Sequence, residues 1–153
     1  RIKDVLDFLK NDVVGYKKEG DDIVPIDGKL IYRGIDVETL VQGALVIRDI
    51  KIIANVMSNL DMDLLRKSVD LIKQKTDNCI IVLGSDNGGK ALLVLGITED
   101  LIKKGIDASL LIRQIAGEIG GSGGGRKDFA QAGGTKPENF QAAFKKLQDL
   151  IRG

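Results

Sequence analysis

The chain has 153 residues, 43% hydrophobic and 29% charged, with 23 Lys and Arg against 22 Asp and Glu for a net charge of +1. That composition supports a sizeable buried core and excludes a disordered tail, a coiled-coil rod or a disulfide scaffold. There is no histidine and Cys79 is the single cysteine. This removes imidazole bases, Ser-His and Cys-His nucleophiles, His-ligated or thiolate zinc and any internal disulfide, and fits a reducing compartment.

Residues 1–11 place Ile2, Val5, Leu6 and Leu9 at helical spacing, so a short amphipathic helix is expected there. Residues 12–22 read as loop. Ile23 to Ile26 and Leu30 to Tyr32 flank Asp27-Gly28 and read as a small hairpin, with Pro25 confining its strand to an edge. Residues 36–47 read as a helix capped by Asp36, and residues 50–57 as a strand. Leu60 to Thr76 sets Leu65, Val69 and Ile72 on one face of a helix, with Asp61 or Asp63 at its start. Cys79 to Leu83 and Ala91 to Leu95 read as two apolar strands of an antiparallel hairpin. Asp107 caps a helix that buries Leu111, Ile112, Ile115 and Ile119 and ends at Gly120. Phe129 to Ala132 reads as strand. Thr135 to Glu138 has the form of a capping box with Pro137 in the first turn, opening a last helix that buries Phe140, Phe144, Leu147 and Ile151. The alternation from residue 50 onward predicts a globular α/β domain over 50–153, a small β-sheet with flanking helices. Residues 1–49 are expected to form a smaller, mainly helical subdomain or linker.

Charge and glycine are both uneven. Residues 1–100 hold 14 basic and 17 acidic side chains, net −3, and residues 101–153 hold 9 and 5, net +4. Of 19 glycines, 8 fall within residues 117–134. Such a cluster costs conformational entropy on folding and needs a backbone reason. In Gly120-Gly121-Ser122-Gly123-Gly124-Gly125-Arg126-Lys127, consecutive glycines can bring backbone N–H groups close to a polyanion, and two cations come directly after them. The competing reading is a helix-to-strand connection with solvated cations, and spacing alone does not separate the two. Gly84 to Lys90 matches the spacing of a phosphate loop, but Ala91 stands where Ser or Thr must hold magnesium. Strand also comes next where a helix must point its N-terminus at the phosphate, so a polar hairpin turn is the better reading. Asp61/Asp63 and Glu99/Asp100 are carboxylate pairs of the kind that favour helix N-termini. Phe129 and Tyr32 are the candidate base-stacking aromatics. No catalytic and no metal-ligating residue is assigned. No apolar run reaches the ~18 residues of a membrane span, and no signal-peptide pattern opens the chain. The chain begins with Arg1 rather than Met, which reads either as processing or missing residues or as an excised piece of a longer protein.

The stretch Ala116 to Gly134, running Gly-Gly-Ser-Gly-Gly-Gly-Arg-Lys-Asp-Phe-Ala-Gln-Ala-Gly-Gly from Gly120, resembles the glycine motif that ends the C-terminal domain of alanyl-tRNA synthetase. Leu60 to Arg66 is similar to that domain's entry to its first helix, and Asp86 to Val94 to its Gly-Lys hairpin. The resemblance implies a tRNA-binding accessory domain that helps hold tRNA for aminoacylation with alanine and for editing of mischarged tRNA. It further implies that catalysis, with ATP, magnesium and zinc, belongs to other domains of the parent enzyme, and that this chain carries no cofactor of its own. The implied partners are tRNA, the aminoacylation and editing domains of the same enzyme and, as in some members, a second copy; the implied compartment is the cytoplasm. Gly120, Gly121, Gly123, Gly124, Gly125, Arg126 and Lys127 are the residues expected on the tRNA. Alternatives are the substrate-binding C-terminal domain of a DHH-type phosphoesterase, or a dimerisation domain.

Overall fold

The computed structural model describes the backbone of residues 13–14, 16–19, 22–25, 31–32 and 35–36, and all of residues 37–153. The chain divides into two units, residues 1–43 and 44–153. In the first, strands β1 (Val13–Val14), β4 (Ile31–Tyr32) and β5 (Ile35–Asp36) form one small antiparallel sheet, and β2 (Tyr16–Glu19) pairs with β3 (Asp22–Pro25). The hairpin expected across Asp27-Gly28 is therefore not the pairing that forms, because β3 turns back on β2 and β4 joins β1 and β5. The helix expected over residues 1–11 lies outside the described residues. Helix α1 (Val37–Gln42) is shorter than the expected 36–47, and the described residues of this unit are five short strands and α1 rather than mainly helix.

The second unit is built on six strands. They are β6 (Leu45–Ile47), β7 (Ile50–Ser58), β8 (Cys79–Asp86), β9 (Ala91–Ile97), β10 (Ser122–Gly125) and β11 (Phe129–Gly134), in the order β10-β11-β9-β8-β7-β6. β7 and β8 are parallel, joined through helix α2 (Met62–Lys73); every other neighbouring pair is antiparallel. Asp61 caps α2 by accepting from the Leu64 amide at 2.8 Å. β8 is buried from Cys79 to Ser85, as a strand covered on both faces must be, and this is why Cys79 to Leu83 is an unbroken apolar run rather than an alternating one.

On one face, Ile80, Val82, Leu93, Leu95, Ala130 and Ala132 form a continuous core with α4 (Ala108–Ile115), the 3-10 turn Ala116–Ile119 and α5 (Phe140–Arg152). A Cβ on Gly84 would sit 2.6 Å from the Phe140 ring, so this strand position must be glycine for α5 to seat. On the other face α2 lies over β8 and β9, and Val69 occupies the space above Gly96. A short helix, α3 (Glu99–Lys103), comes after β9 and has no counterpart among the expected elements. The capping box is not formed: Pro137–Asn139 makes a 3-10 turn instead, and neither it nor α5 receives a side-chain cap.

The match to a phosphate loop dissolves in this fold. Gly84 to Asp86 belongs to β8, the chain reverses over 87–90, and β9 begins at Ala91. The buried Ser85 hydroxyl accepts from the Leu60 amide at 3.0 Å and lies 2.6 Å from Asn87 Oδ1; Asn87 Nδ2 donates back to the Leu60 carbonyl at 2.8 Å. These polar side chains tie the hairpin turn to the entry of α2.

Candidate nucleic-acid interface

Helix α4 begins where the Asp107 carboxylate accepts from the Ser109 amide at 2.9 Å and the Ser109 hydroxyl at 2.6 Å. These hydrogen bonds, the hydroxyl's first, hold that carboxyl below its ordinary value. The helix tightens into the 3-10 turn and stops at Gly120, whose φ of 71° is left-handed, a conformation that favours glycine. The segment beyond Gly121 is strand rather than loop. Ser122–Gly125 is β10, at the edge of the sheet, in register with β11 from Ser122 opposite Gly133 to Gly125 opposite Ala130.

The glycines divide by what their positions demand. A Cβ on Gly121 would run into the Gly133 carbonyl, one on Gly123 into the Gln131 carbonyl, and one on Gly125 would lie 2.6 Å from Ala130 Cα. These alternate positions let two backbones approach more closely than side chains permit. Gly124 is different: a Cβ there would meet nothing within 4 Å. It sits opposite Gln131, on the face that carries Gly133 and Leu92. Ser122, Gln131 and Gly133 are exposed, and no described helix covers them. The result is an exposed strip that carries the Ser122 and Gln131 side chains and none at Gly124 or Gly133.

The backbone donors are also partly committed. The Gly120 amide donates to Gly117 O, Gly121 to Ala116 O and Arg126 to Phe129 O, at 3.1, 3.2 and 2.9 Å. Because paired and unpaired residues alternate along an antiparallel ladder, the Arg126–Phe129 bond directs the N–H and C=O groups of Gly123 and Gly125 outward, to the free edge. The expected run of donors thus reduces to two outward amides beside a turn that carries Arg126 and Lys127, both exposed.

That turn is held from several sides. The Lys127 carbonyl accepts from the Ala108 amide at 2.9 Å, and the Asp128 carbonyl from the Ile97 amide at 3.0 Å. Arg126 Nε lies 3.5 Å from Asp128 Oδ1, with the arginine side chain 75% exposed. An ion pair this exposed contributes little to stability, so the guanidinium can turn to an incoming anion. Phe129 is buried with the Arg66 guanidinium 4.8 Å from its ring centre, which removes it as a stacking surface for bases. The Tyr32 side chain lies outside the described residues. The cationic contribution of Arg66, reached from α2 across the sheet, has no local sequence signal, since nothing in the spacing of residues 66 and 129 announces their contact.

The DHHA1 domain family matches residues 49–153. An alanine–tRNA ligase of Natranaerobius thermophilus is 42% identical over 106 residues, which cover 69% of this chain and 12% of that protein. One of Dechloromonas aromatica is 37% identical over 137 residues, 90% of this chain and 15% of that protein. The crystal structure of the C-Ala domain from Aquifex aeolicus alanyl-tRNA synthetase superposes with a TM-score of 0.68 at 29% identity, covering 72% of this chain and 98% of that one. The chain therefore spans a small fraction of the ligases it matches and nearly all of a C-Ala domain. The matched residues run from the β6–β7 turn through α2, the β8–β9 hairpin and the glycine hairpin to the end of α5, and on that coverage the chain belongs to the DHHA1 domain family.

Proposed function

We propose that the 44–153 unit is a tRNA-binding accessory domain of an alanine–tRNA ligase, and that it contacts RNA through the β10–β11 hairpin. The observation that carries the reading is Gly124. The fold leaves space for a side chain there, yet the position is glycine, on an exposed hairpin strip that ends in Arg126 and Lys127. A surface of backbone and flexible cations suits phosphate and ribose contacts, which position RNA without reading its sequence. Recognition then depends on the shape of a folded RNA. The likeness to alanine–tRNA ligases and to a C-Ala domain supports tRNA as that RNA. It also supports the aminoacylation and editing domains of the same enzyme as partners, and the cytoplasm as the compartment. In this reading ATP, magnesium and zinc serve those other domains, and the chain itself turns over nothing.

Direct binding tests this. The chain should bind folded tRNA more tightly than a single-stranded oligomer of equal length, with little preference among tRNAs. Gly124→Val should weaken tRNA binding while leaving the melting temperature level or raised, because the added side chain meets solvent and not protein. Equal affinity for tRNA and oligomer, or full affinity in the Gly124→Val protein, contradicts the reading.

A further inference from the structure

Lys73 ends α2, the helix that lies over β8 and β9. Its stem passes over Gly96, where an added Cβ would lie 3.1 Å from Lys73 Cε. Its ammonium then donates to the Asp128 carbonyl at 3.1 Å. That same oxygen already accepts the Ile97 amide. Two turns earlier on α2, Arg66 lies over Phe129, the next residue along. One helix therefore grips two consecutive residues of β11 and its turn with two cations, and Gly96 leaves room for both Val69 and the Lys73 stem.

We infer that Lys73 is a positioning residue: it pins the backbone of the Arg126–Asp128 turn to α2, so that the turn presents the mobile Arg126 and Lys127 side chains to RNA without Lys73 touching RNA itself. This rests on the β10–β11 hairpin being the RNA surface. Burial lowers the Lys73 pKa, against the opposing charges of Asp128, Asp70 and Glu99 and with the help of Arg126. Thr76, Asp77, Asp100 and Lys103 line the same depression. A lysine whose folded pKa is lowered binds its proton less tightly than in the unfolded chain, so burying the charge costs stability at neutral pH. A lysine kept there at a cost, aimed at one carbonyl, is better explained by what it holds than by what it stabilises.

The test is Lys73→Met in the full 153-residue chain, since methionine keeps an apolar stem over Gly96 and removes the donor. The melting temperature should stay level or rise. Amide hydrogen exchange at Ile97, which donates to the Asp128 carbonyl, and at Arg126, which belongs to the turn and donates to the Phe129 carbonyl, should quicken. Affinity for tRNA should fall roughly threefold to tenfold, the range of one lost hydrogen bond, and Lys73→Arg should restore it. Unchanged exchange at Ile97 and Arg126 overturns the pin. Faster exchange with unchanged tRNA affinity overturns its role in positioning. A wild-type chain that binds no RNA overturns instead the reading of the hairpin, and the exchange measurement still decides whether the pin exists.

Discussion

Eight glycines within residues 117–134 look alike in sequence and do different things in the fold. Gly121→Ala should destabilise the hairpin by about 1–3 kcal/mol, the cost of forcing volume into a closed contact, because the new methyl meets the Gly133 carbonyl. Gly124→Ala should be neutral or stabilising, up to about 1 kcal/mol, since alanine loses less backbone freedom on folding. Thermal or denaturant unfolding of the two variants measures the difference directly. The candidate site is legible in sequence as a cluster near two cations, but which of its glycines have room for a side chain, Gly117 and Gly124 among them, is not. That depends on cross-strand geometry which no local pattern encodes. Cys79 makes a second residue-scale case. Burial pushes its thiol up to about 12, partly opposed by Lys51. Alkylating reagents at neutral pH should leave native Cys79 unmodified and label it only on unfolding; rapid labelling of the folded protein would contradict its burial.

The elements legible in sequence are those with a sustained apolar pattern: β7, α2, β8, β9, α4, β11 and α5. The elements that escape it are short or held by tertiary contact. β10 reads Ser-Gly-Gly-Gly and has no strand propensity of its own; β11 and α4 hold it in place. The β6–β7 hairpin turns on Arg48 and Asp49, both at positive φ, where Asn-Gly is the usual signal. The capping box at Thr135 has the right letters but loses to the tight return from β11, where the Thr135 and Lys136 amides both donate to Ile119 O. The cap at Asp107 does form, and it makes a pH prediction. Its carboxyl lies below the ordinary value when folded, so its contribution to stability is present above the unfolded pKa of about 3.9 and is lost as pH falls through the lowered folded value. Asp107→Ala should therefore lower the melting temperature at pH 7, and the gap from wild type should close in acid. A gap independent of pH would contradict the cap.

At the scale of the whole molecule, the net charge of +1 conceals a division that matters more than the total. Residues 101–153 carry +4, and the hairpin with its two exposed cations lies within them. A polyanion meeting this surface releases counterions in proportion to the phosphates neutralised, so affinity must fall with salt. Base composition of the RNA should matter little, because the hairpin offers backbone amides and flexible cations rather than a rigid array for base edges. The measurement that bears most directly on the central claim is the salt dependence of tRNA binding for the wild-type chain and for Arg126→Ala with Lys127→Ala. The account predicts that the double variant stays folded, binds more weakly, and shows a flatter slope of log affinity against log salt, by about 1.4 to 1.8 for two contacts at ~0.7 per phosphate of a single strand and ~0.9 of a duplex. A folded double variant with the wild-type affinity and the wild-type slope would contradict it and leave the glycine hairpin a structural edge only.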